Sequence, residues 1–529
     1  MSHSVKIDPA ALTELFAPWN RSDEPGLVVG ISHPAAGTWR AGYGLGSIEL
    51  AMANTPRTRM RIGSTSKMFT CLGVLLLAEE GKLSIDDPIR KYIPELPEWA
   101  ENMTPRHFMT HTSGMRCHID VLYQTGNFAR PAPAEAALEY LARQTGVNFP
   151  IGERWSYNNG GYNLMSLLIE RITGQDFVRF QDERIFQPLG MIDTAVKRSD
   201  SEMLPNSASL HLLYPDGHYE RGYFGISIAG EGAMVSTVED MLVWLKHMHR
   251  PVVGSAESWR KIKTPARLND GRTANYGLGL MHSDHRGVKV LHHAGGVFGG
   301  VSMCLTVPEL ELDVIIIANR SDAPVQPLGF QVIDACVEGL AALPDAKTGV
   351  APTGIYWSQA VSGPLEVGEQ DGQVFAKLWE AKLPMRHDGE GRIVSALPAS
   401  DLSVTAVPGD ADAVSVDFRG STDIFRRVAP ASDDAVAEAA RLVGVYRFED
   451  AEATATIRLD GERVSLRMAG PFGRDSYSLA RWNPLVWTSR LGETDHGGLL
   501  EFTADAAGAI TGFTVTTSRT RRLPFERVG

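Results

Sequence analysis

A chain of 529 residues with 43% apolar side chains is too long for one ordinary domain and too apolar to be chiefly disordered, so two or three packed units are expected. A net charge of −12, with no long run of Lys and Arg, argues against nucleic acid as a partner. No apolar run approaches the ~20 residues that span a bilayer, and the start "MSHSVKIDPAALTELF" lacks the features of a secretory signal. Cys71, Cys117, Cys304 and Cys336 fit no zinc or redox spacing and read as free, mostly buried thiols of a cytoplasmic protein.

From about residue 25 to about 340, helix and strand signals alternate. "PGLVVGIS" and "TWRAGYGLG" read as paired strands, and the stretch from Ser66 to Glu80 as a helix that Gly81 stops. "YNLMSLLIERITG" (162–174) and "TVEDMLVWLKHMHR" (237–250) carry helical apolar spacing, with His247 and His249 expected to face solvent. "VSMCLTV" and "LDVIIIANR" read as strands joined by a turn at Pro308 and Glu309. The pattern predicts an α/β (α+β) domain over 1–342, an antiparallel sheet flanked by helices.

A composition change at "AALPDAKTGVAPTG" (341–354) predicts a linker, and "APASDDAVAEAA" predicts a second. Beyond the first, short alternating runs with Asp-Gly pairs at 371–372, 388–389 and 460–461 take over, which favour tight hairpins. A faint repeat is visible. "GIYW", "DGQV" and "FRRV" are echoed by "GVYR", "DGERV" and "FERV". Two small antiparallel β-barrels, over 352–430 and 440–529, are therefore expected.

Three short motifs could carry chemistry. In "RIGSTSKMFT", Ser64 and Lys67 stand three apart, on one face of a helix. A serine needs a base to become a nucleophile, and a lysine becomes one when desolvation lowers its pKa. In isolation the pair reads more simply as an N-cap beside a solvated lysine. "ERWSYNNGGYN" adds Tyr157 and Asn159 in a loop ahead of a helix, though a packed aromatic would look the same. "LHHAGGVFGG" puts His293, Gly295 and Gly296 at a strand start, where glycines allow close backbone approach or mark a bulge. His292 and His293 alternate across that strand and do not share a metal. No H-E-x-x-H or G-x-S-x-G is present, and neither metal nor cofactor is expected.

The order S-x-x-K, Y-x-N, H-x-G resembles the serine β-lactamase and penicillin-binding-protein superfamily, most closely its class C-like, D-aminopeptidase and esterase branch. "MTHTSGM" (109–115), "AGEGAMVSTVEDM" (229–241) and "YGLGL" (276–280) stand in that superfamily's usual order, so the resemblance covers about 25–335. A catalytic domain followed by two lipocalin-like barrels resembles the bacterial D-aminopeptidases, in which a loop of the last barrel enters the cleft; "AGPFGRDSYSLARWNP" (469–484) is the candidate here. "KIDPAALTELFAPWNRSDEPG" and the context of Glu231 also look like the linearised-microcystin peptidases of sphingomonads.

The resemblance implies a serine hydrolase that cleaves amide bonds of short linear peptides, D- or unusual residues included, through an acyl-enzyme on Ser64. Lys67 and Tyr157 would share the proton work, and the N–H groups of Ser64 and Gly296 would form the oxyanion hole. Asn159 and Gly295 would hold substrate. His293 replaces the K-T-G lysine of penicillin-recognising members, which implies weak or no β-lactamase action. Glu231 or Asp475 would anchor a substrate ammonium. The protein would act as a monomer or homodimer on a peptide, with no membrane partner. A carboxylesterase on the same fold and a non-catalytic peptide receptor are the alternatives.

Overall fold

The computed structural model describes residues 3–127, 130–133, 135–343, 347–361, 363–379, 381–428, 435–492 and 496–528. The first 340 or so build a six-stranded antiparallel sheet in the order Met281–His285, Val288–Val297, Gly300–Val307, Leu312–Ala318, Leu27–His33, Gly37–Tyr43. Side chains of a strand point alternately to its two faces. Leu27, Val29 and Ile31 therefore join Val314 and Ile316 against Pro9–Phe16 and Val325–Cys336. Val28, Ile315 and Ile317 face the opposite way, into the larger core of helices Lys67–Glu79, Asn159–Thr173 and Val238–His249. With both faces covered, "LDVIIIA" is buried throughout, and it reads as an unbroken apolar run for that reason.

Helix Lys67–Glu79 is apolar on every side and lies inside the larger core. Val238–His249 differs from expectation. His247 is buried and accepts from Val252 N at 3.1 Å, and His249 Nε2 meets Asp313 Oδ1 at 2.8 Å, so neither histidine faces solvent. Burial holds His247 at about 4.

Beyond the sheet, eight strands from Gly354–Ser358 to Ser421–Arg427 close into one antiparallel barrel, and eight from Gly444–Phe448 to Leu523–Arg527 into another. Asp371 and Gly372 close a hairpin with φ of 53° and 76°, as the Asp-Gly pair demands. At 460–461 the turn lies one residue later, because Asp460 still pairs with Arg463. The two predicted linkers fall partly outside the described residues; the second runs into a helix, Ala435–Leu442.

The faint repeat marks the closure of each barrel. Tyr356 pairs in register with Arg427, and Tyr446 with Arg527. Each guanidinium lies over its tyrosine ring, at 4.8 and 5.8 Å. The interior of the second barrel is continuous with Cys117, Ile119, Leu122 and Tyr140 of the first unit. Among the described residues no helix is long and apolar enough to cross a membrane.

Candidate active site

Ser64 sits in a single 3-10 turn, Gly63–Ser66, that runs into helix Lys67–Glu79. Residues three apart eclipse in such a turn, which stacks Lys67 on Ser64. Hydroxyls pin the turn from both sides. Ser66 Oγ donates to Gly63 O at 2.6 Å and accepts from Met234 N at 3.1 Å. Ser302 Oγ donates to Ile62 O at 2.7 Å and lies 3.0 Å from Thr65 Oγ1. Strand Val288–Val297 presses on the same turn at Gly295, where a Cβ would stand 1.9 Å from Ile62 O. Only glycine allows that approach, which brings Gly296 N beside Gly63.

Lys67 is fully buried and has three partners: Ser64 Oγ at 3.2 Å, Asn159 Oδ1 at 2.8 Å and the Glu231 carbonyl at 2.6 Å. Burial pulls its pKa down to about 7; the Glu231 carboxylate opposes that fall and Arg519 adds to it. A neutral amine has two N–H groups and one lone pair. The two carbonyl oxygens take the N–H groups, which turns the lone pair toward the Ser64 hydroxyl. Asn159 reaches Lys67 because it is the first residue of its helix, which Asn158 caps by accepting from Gly161 N at 3.2 Å.

The Tyr157 ring lies 4.8 Å from Lys67 Nζ. Burial raises the phenol well above its ordinary value, and interaction with Ser64 offsets part of that rise. His293 lies behind it, ring to ring at 6.4 Å, and is 1% exposed. Its Nδ1 donates to Ala294 O at 2.6 Å while Nε2 accepts from Tyr276 Oη at 3.0 Å. Burial first, then Lys67, depresses it to about 3. Both ring nitrogens are committed within the protein, so the imidazole positions its neighbours and offers substrate no N–H.

Glu231 overturns its expected role. Its side chain is 2% exposed, with Oε1 accepting from Asn163 Nδ2 at 3.1 Å and Oε2 from Ala229 N at 3.0 Å. A carboxylate held there faces Lys67 from inside the protein and cannot meet a substrate ammonium. Asp475 is equally misplaced: it pairs with Arg130 at 2.7 Å, and its segment is no entering loop but strand Gly473–Asn483 of the second barrel.

The loop that does enter is Thr517–Arg522, between Ile510–Thr516 and Leu523–Arg527. Thr517 Oγ1 donates to Asp120 Oδ2, Thr520 Oγ1 accepts from Cys117 N at 3.0 Å, and Asn148 Nδ2 donates to Arg519 O at 2.9 Å. The Arg519 guanidinium lies 5.5 Å from the Tyr157 ring. Sequence reasoning also missed His111, whose ring packs 4.4 Å from Tyr157 and which accepts from Asn158 N at 3.1 Å. Its φ of 60°, uncommon outside glycine, was not legible from "MTHTSGM". Tyr276 stands in "YGLGL", a motif that gives no sign of its bond to His293.

A family model described as beta-lactamase matches residues 13–335. A D-aminopeptidase of Brucella anthropi is 26% identical over 527 residues, 95% of either chain. One of Gluconobacter oxydans is 26% identical over 546 residues, covering 100% of this chain and 99% of that one. The octameric penicillin-binding protein homologue from Pyrococcus abyssi superposes with a TM-score of 0.56 at 21% identity, over 79% of this chain and 98% of that one, a likeness of fold.

Proposed function

From the premise that this chain belongs to the beta-lactamase family, we propose that it is a serine amide hydrolase of short linear peptides, with Ser64 as nucleophile and Lys67 as base. Peptides with D- or unusual residues are the intended class: D-aminopeptidases align with the chain end to end, and the resemblance seen in the sequence extends the class to linearised cyclic peptides. One observation carries the assignment: a buried lysine whose Nζ stands 3.2 Å from Ser64 Oγ, with two carbonyl oxygens as its other partners.

The lone pair of Lys67 takes the Ser64 proton as Oγ attacks the carbonyl carbon. The N–H groups of Ser64 and Gly296 receive the developing oxyanion, and loss of one such donor typically costs ~10²–10³ in rate. Because its phenol stays protonated, Tyr157 acts as the acid toward the leaving nitrogen and is re-protonated from Lys67. Water, activated by the same pair, then releases the acyl group. Asn159 and Gly295 hold lysine and strand in place. Burial sets the charge state of Lys67 against the opposing pull of Glu231, and His293 fixes Tyr276; Glu231 and His293 act as positioning residues. The division into a hydrolytic unit (1–342) and barrels (352–430 and 440–529), a cytoplasmic setting and a monomeric or homodimeric state complete the proposal.

A p-nitroanilide and a p-nitrophenyl ester with the same acyl group test it, together with a fluorophosphonate probe. The expected result is turnover of the anilide and labelling, both lost in Ser64→Ala. Turnover of the ester alone would make the protein an esterase, and absence of labelling would favour a receptor.

A further inference from the structure

A cavity of about 340 Å³, within the range of small-molecule sites, opens beside Tyr157. Three parts of the chain wall it: Arg154–Tyr157 from the catalytic unit, loop 518–521 from the second barrel, and the mouth of the first barrel. From that mouth come Leu378, Trp379, Leu383, Val416 and Phe425. Val416 and Phe425 belong to the interior of the first barrel, so the cavity continues that barrel's core toward the catalytic groups.

The mouth is held in register with the site. Arg154 Nη1 donates to both carboxylate oxygens of Asp423 at 2.9 Å. Phe418 meets Trp155 edge-on at 6.4 Å, and the Arg419 guanidinium lies 5.3 Å from the Trp155 ring. Trp379 occupies the left-handed region at φ 57°, where a bulky side chain is strained, and its indole lines the cavity.

The polar edge is predominantly cationic. Arg154, Arg519 and Arg521 line it against the single carboxylate of Asp423, and Asp120 stands 3.9 Å behind Arg519. Arg154 is engaged with Asp423, and Arg521 stacks 5.5 Å from the Phe149 ring. Arg519, with a side chain 39% exposed, is the guanidinium of that edge that lies over the Tyr157 ring, at 5.5 Å.

We propose that the mouth of the first barrel is a substrate subsite, which takes a large aryl-ended apolar side chain of the peptide with a neighbouring carboxylate at Arg519. Calling the occupant a substrate rests on the hydrolase reading; the cavity and its chemistry do not. An apolar cleft excludes water from the aryl group, and the guanidinium at its edge selects the anion.

The test separates the two. Calorimetric titration of full-length Ser64→Ala with 4-phenylbutyrate, butyrate and 4-phenylbutyramide reads binding without turnover. The expected result is 4-phenylbutyrate binding at least about tenfold tighter than butyrate and about threefold tighter than the amide. Adding Leu383→Trp or Ser421→Trp, which fill the mouth from different strands, should remove most of the first preference, and Arg519→Gln the second, with thermal melts confirming folding. Equal binding of the two acids by Ser64→Ala, a comparison that needs no filling variant, overturns the subsite. Equal binding of acid and amide overturns the role of Arg519. Aryl-selective binding alongside a wild-type chain that hydrolyses no anilide would support the subsite and refute the hydrolase reading.

Discussion

The two barrels have the same strand count, the same up-and-down order and the same tyrosine–arginine closure, yet they meet the catalytic unit in opposite ways. The second fuses its core with that unit and sends Thr517–Arg522 across the surface to Tyr157. The first keeps a smaller, separate core and turns its open end toward the same tyrosine. Closing a sheet removes its edges but leaves its ends available. What a barrel contributes is thus decided by which end faces the site and how far that end is filled.

Neither barrel is expected to do the chemistry, and the largest expected effect checks that. Ser64→Ala and Lys67→Met should each lower kcat/KM by at least ~10³ with both barrels folded. Lys67→Met should also raise thermal stability, by about 1–2 kcal/mol, because it removes a buried amine that the folded state holds near 7. Activity that survives Lys67→Met would move the base elsewhere.

The pH profile comes next. With Lys67 at about 7, kcat/KM should rise about tenfold per unit below pH 7 and level above it. His293 and His118, both held near 3, and His111, pushed well down by burial, cannot supply that limb. Linkage has the matching sign. The folded lysine lies below its unfolded value of 10.5, so the unfolded chain binds the extra proton between about pH 7 and 10.5, and the Lys67 contribution to stability grows with pH across that window. Urea melts at pH 7 and 9, of wild type against Lys67→Met, isolate it.

Smaller effects separate the barrels. Asp120→Ala strips Thr517 of its acceptor and should cost about 1–3 kcal/mol, with a roughly tenfold loss in kcat/KM as the loop of the second barrel loosens. Asp423→Asn, at the mouth of the first, breaks a pair whose side chains are 19% and 17% exposed. A cost of up to about 1 kcal/mol is expected, read as a KM several-fold higher at unchanged kcat. Equal responses to both changes would erase the difference between the barrels.

Much of this was legible in the linear chain. Strands buried on both faces announce themselves as apolar runs, and Asp371-Gly372 specified its turn because few pairs tolerate two positive φ angles. Short motifs of fixed spacing pointed to Ser64, Lys67 and Tyr157, and the fold brings the three side chains together. The failures share a cause: each depended on a partner remote in sequence. Glu231 looked like a surface anchor because its segment is rich in glycine, and only the fold seals it behind Lys67. His249 looked solvated until Asp313 met it from the neighbouring sheet. The segment 469–484 looked like a loop because it holds glycine and proline, whereas alternation from Gly473 makes it a strand, and "TTSRTRR", with no apolar signal, makes the entry.

The seam where Tyr356 meets Arg427, and Tyr446 meets Arg527, has a consequence for the architecture of the whole chain. Because the first and last strands of each eight-stranded unit lie side by side, the polypeptide enters and leaves at nearly one point. A unit with both ends at one point can be copied, excised or grafted as a cassette without re-routing its host, and the two successive barrels of this protein have the form that tandem copying of one such cassette produces.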